Sequence, residues 1–214
     1  MTRRPRLLDL FSGAGGAAMG YHRAGFDVTG VDIAPQPRYP FTFHQANALM
    51  FLAEHGHEFD AIHASPVCKR YSACAVLNDR EHPDQISDTR TTLAATGRPW
   101  VIENVPGAPL HSPVTLCGCM FRIRTYRPRL FETSGFDLPQ LSHRPHTSEV
   151  QKMGRPPQNG EYIHIIGHFS NVTLARQVMG MPWATRDELA QAVPVTYTEY
   201  IGRFLLRAVG EVAA

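Results

Sequence analysis

Arg6-Leu7-Leu8-Asp9-Leu10-Phe11-Ser12-Gly13-Ala14-Gly15-Gly16 is the stretch that decides the fold. Arg6–Leu10 reads as a short apolar strand, the next six residues as a glycine-rich turn, and residues 17–24, closed by Gly25, as a helix. A second strand over residues 27–31 ends in Asp32, about twenty residues beyond the glycine loop, which is the βαβ spacing of a nucleotide-binding sheet. A carboxylate there can accept both hydroxyls of an adenosine ribose, while glycines let the first loop approach a ligand backbone to backbone. The full Gly-x-Gly-x-x-Gly pattern is missing, and no basic residue stands in the loop to meet a pyrophosphate. An adenosine ligand without a pyrophosphate therefore fits better than NAD.

The alternation continues along the chain. A helix is expected near Ala48–His55, a strand over 59–63, a helix over 89–96 and a strand over 100–103. This points to an α/β, doubly wound parallel sheet with helices on both faces. After Asn104 the texture turns to proline and glycine up to about residue 160, followed by an expected strand over 162–167 and helices over 171–179, 185–192 and 198–209. The expected organisation is a catalytic and cofactor-binding Rossmann-like unit over 1–134, a small irregular region over 135–170, and C-terminal helices over 171–214 that complete the first unit.

Two side chains bring chemistry to the strand ends. Cys68 follows the 59–63 strand in Ala64-Ser65-Pro66-Val67-Cys68-Lys69, and Glu103-Asn104-Val105 follows Trp100-Val101-Ile102. In a parallel sheet the two would share one edge, so a thiol and a carboxyl would face one pocket. The bland counterparts are a buried inert thiol and a salt-bridged carboxylate.

Composition bounds the partners. With 214 residues, 43% hydrophobic and 19% charged, the chain can bury one core. The net charge of +2 excludes a strongly basic nucleic-acid coat. The positive charge is local: Arg122, Arg124, Arg127 and Arg129 lie close together, and His143, Arg144, His146, Lys152 and Arg155 follow, a face suited to phosphates. No apolar run approaches the roughly 18 residues of a membrane span, and Met1-Thr2-Arg3-Arg4 leads straight into a strand, so a cytoplasmic location and reduced cysteines are expected. Cys117-Gly118-Cys119 among eleven histidines invites a metal reading, but the spacing is tighter than the usual Cys-x-x-Cys knuckle and no second cysteine pair accompanies it. No metal is expected.

The motifs together resemble the cytosine carbon-5 DNA methyltransferases. Asp9-Leu10-Phe11-Ser12-Gly13-Ala14-Gly15-Gly16 resembles that family's first motif, Val31-Asp32-Ile33 its second and Gln45-Ala46-Asn47-Ala48 its third. Pro66-Val67-Cys68 is similar to its catalytic Pro-Pro-Cys-Gln, Glu103-Asn104-Val105 to its catalytic acid motif, Arg127-Pro128-Arg129 to its Gln-x-Arg-x-Arg, and Gln191-Ala192-Val193-Pro194 to a C-terminal stretch that folds back beside the cofactor. The order matches over nearly the whole chain.

The resemblance implies an S-adenosylmethionine-dependent methyltransferase fold with a very small target-recognition region. It implies catalysis by Cys68, Glu103, Arg127 and Arg129. It also implies a cofactor held by Phe11, Ser12, Gly13, Ala14, Gly15, Asp32, Ile33, Asn47, Ala48, Pro66, Lys69, Gln191, Ala192 and Val193. Carbon 5 of cytosine is a weak nucleophile, so a thiolate must first add to carbon 6, helped by an acid at N3, and a base within duplex DNA must be flipped out to reach it.

Departures from the pattern carry their own expectations. Asn47 stands where the family has an acid, Val67 replaces a proline, and Lys69 replaces a glutamine beside a sulfonium donor. A donor bearing a carboxylate, such as carboxy-S-adenosylmethionine, would give Lys69 a counter-ion and 5-carboxymethylcytosine as product. Only about forty-six residues separate Arg129 from Arg176, so short or weak sequence specificity is expected, as in a compact phage modification enzyme. The same chemistry on RNA or a free cytosine nucleotide, and an inactive nucleic-acid-binding module, are the alternatives; a monomer is expected.

Overall fold

The computed structural model describes residues 3–67, 85–152 and 154–212. Cys68, Lys69 and Cys74 lie outside the described residues. The chain builds one seven-stranded sheet from β1 (Arg6–Leu10), β2 (Asp27–Asp32), β3 (Thr42–Gln45), β4 (Ala61–Ala64), β5 (Trp100–Asn104), β6 (Val114–Leu116) and β7 (Arg129–Ser134). Their spatial order is β3-β2-β1-β4-β5-β7-β6. The first five strands pair in parallel, whereas β7 runs antiparallel to both β5 and β6. The order reverses between β1 and β4, and in open sheets of this kind ligands settle at the carboxyl ends of the strands flanking that reversal.

Side-chain alternation in β1 feeds both faces. Leu7 joins one core with Ala17, Ala18 and Tyr21 of α1 (Gly16–Ala24) and Tyr197, Ile201 and Leu205 of α6 (Val195–Val212). Leu8 and Leu10 join the other, with Ala48 and Leu52 of α2 (Ala48–His55) and Leu93 of α3 (Gln85–Ala95). On α6 the four-residue spacing of Tyr197, Ile201 and Leu205 forms one stripe, and burying each side chain contributes roughly 1.5–3 kcal/mol. The Thr198 hydroxyl closes this contact by donating to the Ala17 carbonyl at 2.9 Å. A third core joins α4 (Val172–Met179) and α5 (Arg186–Gln191) to Ile163, Ile165, Phe169 and Ala14 of the glycine loop.

The expected strand over 162–167 is not a strand. Its burial does alternate, with Ile163 and Ile165 buried and Ile166 exposed, but its backbone pairs elsewhere. The Ile163 N–H donates to the Arg124 carbonyl, the Ile165 carbonyl accepts from the Arg127 side chain, and only an isolated bridge joins Tyr162 to Val150. Three strands went unread in the sequence. β3 exposes three of its four residues, β6 has three residues, and β7 begins directly behind Arg127-Pro128.

Candidate active site at the carboxyl ends of β1, β4 and β5

The loop after β1 is shaped by backbone conformations that few residues accept. Gly13 and Gly15 take φ of 47° and 84°, and Phe11 takes φ of 56°, a position costly for a bulky side chain and characteristic of functional loops. Gly16 is dictated by proximity, since a Cβ there would stand 2.6 Å from the Val193 carbonyl and 3.2 Å from the Ala192 Cβ. Ala192 and Val193 of the expected C-terminal stretch therefore lie against the glycine loop. Trp183 Nε1 fixes the same loop by donating to the Ala14 carbonyl at 2.8 Å.

Asp32 holds the loop from the second strand. One carboxylate oxygen accepts the Gly13 N–H at 3.0 Å and the other accepts the Ala34 N–H at 2.9 Å. Beyond it, Ile33 is 71% exposed and Met50, in the first turn of α2, is 64% exposed. Both are large apolar side chains left in water, Ile33 directly after Asp32 in the chain. Asn47 caps α2: its Oδ1 accepts from both the Leu49 and Met50 N–H groups. Its carbonyl lone pairs are thus used, and its Nδ2 is left as a donor. Ala48 points into the core. The Ser12 hydroxyl is buried with no partner among the described residues, and α1 begins with no side-chain cap and no acid in its first turn.

At the end of β5, Glu103 is 7% exposed. Its Oε1 lies 3.0 Å from Arg129 Nε, and burial raises its pKa above the usual carboxyl range despite Arg129, the Ser65 hydroxyl and Arg127, which pull it down. Behind Ser65 runs a chain of hydrogen bonds that sequence reading missed. The Tyr21 hydroxyl meets His63 Nδ1 at 3.0 Å, and His63 Nε2 meets Ser65 Oγ at 3.0 Å. Burial lowers the His63 pKa to about 3, so its ring is neutral. A neutral ring has one donor and one acceptor, and the sequence Tyr21 to His63 to Ser65 to Glu103 then runs in one donor direction into the carboxyl group. His63 reads as an ordinary residue of an apolar strand, and only the sheet register places it behind Glu103.

Asn104 ties this carboxyl to the loop carrying the thiol. Its Nδ2 donates to the Pro66 carbonyl at 3.0 Å, two residues before Cys68, and its Oδ1 accepts the Val105 N–H. Pro66 is buried and Val67 is exposed; Cys68 and Lys69 follow outside the described residues.

Arg127 is bound to backbone carbonyls. It is 8% exposed, and its guanidinium donates to the carbonyls of Ala192 (2.9 Å), Ile165 (2.6 Å) and Ala190 (2.7 Å). These bonds join the end of α5 to the 163–165 segment, so Arg127 clamps the C-terminal stretch onto the sheet, and its charge also lowers the Glu103 pKa. Arg129, by contrast, reaches Glu103 directly. Of the positive face, Arg124 is bound to the Glu161 carbonyl and Arg155 to the Glu161 carboxylate, leaving Arg122, Arg144 and Lys152 exposed. The expectation of no metal rested on the lack of a second ligand pair, and the fold supplies one: Cys117, Cys119, His143 and His146 come together.

No family model and no curated sequence matches the chain. Solved structures do. A candidate DNA modification methyltransferase encoded within a prophage of E. coli superposes with a TM-score of 0.66 at 15% identity, over 96% of this chain and 99% of the other. The chain has a Rossmann-like methyltransferase fold. S. pombe Dnmt2 methyltransferase matches with a TM-score of 0.60 at 14% identity over 96% and 99% of the two chains. The Entamoeba histolytica methyltransferase EhMeth matches with a TM-score of 0.59 at 11% identity over the full length of both. The likeness thus extends over 96% or more of this chain. Among the described residues no helix is long and apolar enough to cross a membrane.

Proposed function

We propose that this protein is a DNA cytosine carbon-5 alkyltransferase using an S-adenosylmethionine-type donor. The observation that carries the reading is the buried carboxyl Glu103, raised in pKa, on a strand end that Asn104 fastens to the Pro66-Val67-Cys68 loop beside the reversal of strand order. The prophage-encoded and Dnmt2 neighbours support the same direction.

The site fits the donor. Asp32 suits ribose hydroxyls, Ile33 and Met50 suit the faces of adenine, and the Asn47 amide suits a ring nitrogen. The uncapped start of α1 and the unpaired Ser12 hydroxyl suit a carboxylate. The bound donor would supply an electrophilic carbon on a sulfonium.

In this reading Cys68 adds as thiolate to cytosine carbon 6, and electron density moves onto carbon 5. Protonated Glu103 donates to N3 as negative charge develops there. Arg129 and the hydrogen-bond relay through Ser65 keep the carboxyl oriented, and Arg129 restrains its pKa. After transfer the carbon-5 proton leaves to a base, the thiolate is expelled from carbon 6, and N3 returns its proton to Glu103. Arg122, Arg144 and Lys152 contact phosphates, so DNA affinity falls steeply with salt.

Methyl transfer is the first reading; carboxymethyl transfer rests on Lys69. The test is incubation of the purified protein with cytosine DNA, RNA or nucleotide and with each donor, followed by nucleoside mass spectrometry. A modified cytosine from DNA supports the proposal, and its mass names the group transferred. Methylcytosine as the sole product with both donors refutes the role given to Lys69. No modified base with any substrate favours the inactive binding module.

A further inference from the structure

The Cys117-Gly118-Cys119 turn is built around a centre. Gly118 is required there, because a Cβ would stand 1.8 Å from the Thr125 carbonyl oxygen, and the tight turn brings the Cys119 and Cys117 sulfurs to 3.4 Å. From the irregular segment after β7, His146 Nε2 comes within 3.3 Å of Cys117 Sγ and within 3.0 Å of His143 Nε2. All four ligand atoms lie within 4.8 Å of one another. Zinc–sulfur bonds of about 2.3 Å and zinc–nitrogen bonds of about 2.0–2.1 Å give a tetrahedron with edges of roughly 3.3–3.8 Å. The three contacts fall within a few tenths of an ångström of those edges.

The surroundings orient the ligands. The His146 ring stacks on Tyr126 at 3.7 Å and 13°, and the Tyr126 hydroxyl bonds both the carbonyl and the N–H of Ser148. The Cys117 thiol donates to the Tyr126 carbonyl at 3.1 Å, a bond that ligation would exchange for a metal–sulfur bond. Nothing in the donor-directed site uses these four residues.

We propose that Cys117, Cys119, His143 and His146 bind one zinc ion that staples the irregular segment after β7 to the turn after β6. Two thiolates and two imidazoles select zinc over hard cations, and four protein ligands leave no open position, so the site is structural. On binding, the two thiol protons pass to solvent and both histidines ligate as neutral rings. The staple fixes Arg144, which lies between the two histidines, against the body of the protein. The inference stands on these four side chains and is independent of the proposed alkyl transfer.

The test is elemental analysis of untagged protein purified under reducing conditions, paired with cobalt(II) substitution. One zinc per chain is expected, with cobalt giving the intense visible ligand-field bands of a tetrahedral sulfur–nitrogen site. His143→Ala, which removes an exposed ring, is expected to lose stoichiometric metal with far-UV circular dichroism unchanged, and Cys119→Ser to weaken the thiolate-to-cobalt band, to which Cys117 alone would then contribute. Cys68→Ser is expected to keep both, separating this site from the catalytic thiol. Chelation should speed proteolysis within 141–152. Wild-type protein that neither retains zinc nor gives a tetrahedral cobalt spectrum overturns the proposal, as does full metal content in a Cys119→Ser/His143→Ala double variant.

Discussion

Replacing Arg129 by Met removes the cation 3.0 Å from Glu103 and leaves a carboxyl that is 7% exposed. At that separation and an effective dielectric of about 20 the attraction is roughly 5 kcal/mol, but the variant escapes the full loss by keeping Glu103 protonated. Holding a group of ordinary pKa 4.5 protonated at pH 7.5 costs about 1.4 kcal/mol per unit over three units, about 4 kcal/mol in all. Wild-type Glu103 is already raised above 4.5, so the difference between the proteins must be smaller than this ceiling. The sign follows from linkage. A carboxyl raised on folding contributes stability that is complete below its unfolded pKa and lost as pH climbs through its folded pKa. In Arg129→Met that folded pKa moves further up. The gap in stability therefore changes little below the ordinary value of 4.5, and widens by up to about 1.4 kcal/mol per unit once pH passes the raised wild-type Glu103 value. It levels off where Glu103 ionises in the variant as well. Urea unfolding of both proteins from pH 5 to 8 measures it. A destabilisation of the same size at every pH would mean that Arg129 acts by packing and that the pairing argument is wrong.

Other outcomes follow from the same geometry. Glu103→Gln should lower kcat by about 10²–10⁴-fold with donor affinity intact by calorimetry, while wild-type turnover should decline as pH rises through the raised Glu103 pKa; an equal loss in donor affinity would count against an acid at N3. His63, lowered to about 3, contributes stability that is present above 6.5 and lost as pH falls below it, at about 1.4 kcal/mol per unit. His63→Asn should flatten that limb of the pH–stability curve, and an unchanged limb would refute the assignment. Arg127→Met strands three carbonyls at roughly 1–3 kcal/mol each, so loss of more than about 3 kcal/mol is expected in thermal or urea unfolding; a surface role in binding DNA would leave stability nearly untouched.

The parts of the site that lie in short contiguous motifs were legible. The glycine loop, Asp32 and Glu103 announce themselves because strand, turn and helix signals follow one another within a few residues, and the structure sets all three at strand ends. What depends on distant partners was not. β6 and β7 carry too few residues for a period to show, and Arg127 reads like its neighbour Arg129 until the fold folds α5 over one of them. The 162–167 segment shows the converse, a true alternation of burial whose backbone has no strand to pair with. The Tyr21–His63–Ser65 relay draws on a helix and a strand far apart in sequence, and the Cys117–His146 cluster needed the irregular segment to return to the β6 turn.

In the proposed reaction Cys68 attacks cytosine in concert with Glu103. Incubation with donor and DNA containing 5-fluorocytosine, which blocks loss of the carbon-5 substituent, tests it most directly by denaturing electrophoresis and intact mass. A covalent protein–DNA adduct carrying the transferred group is expected in wild type and not in Cys68→Ser. An adduct that persists in Cys68→Ser, or carbon-5 modification of cytosine by that variant, would contradict it.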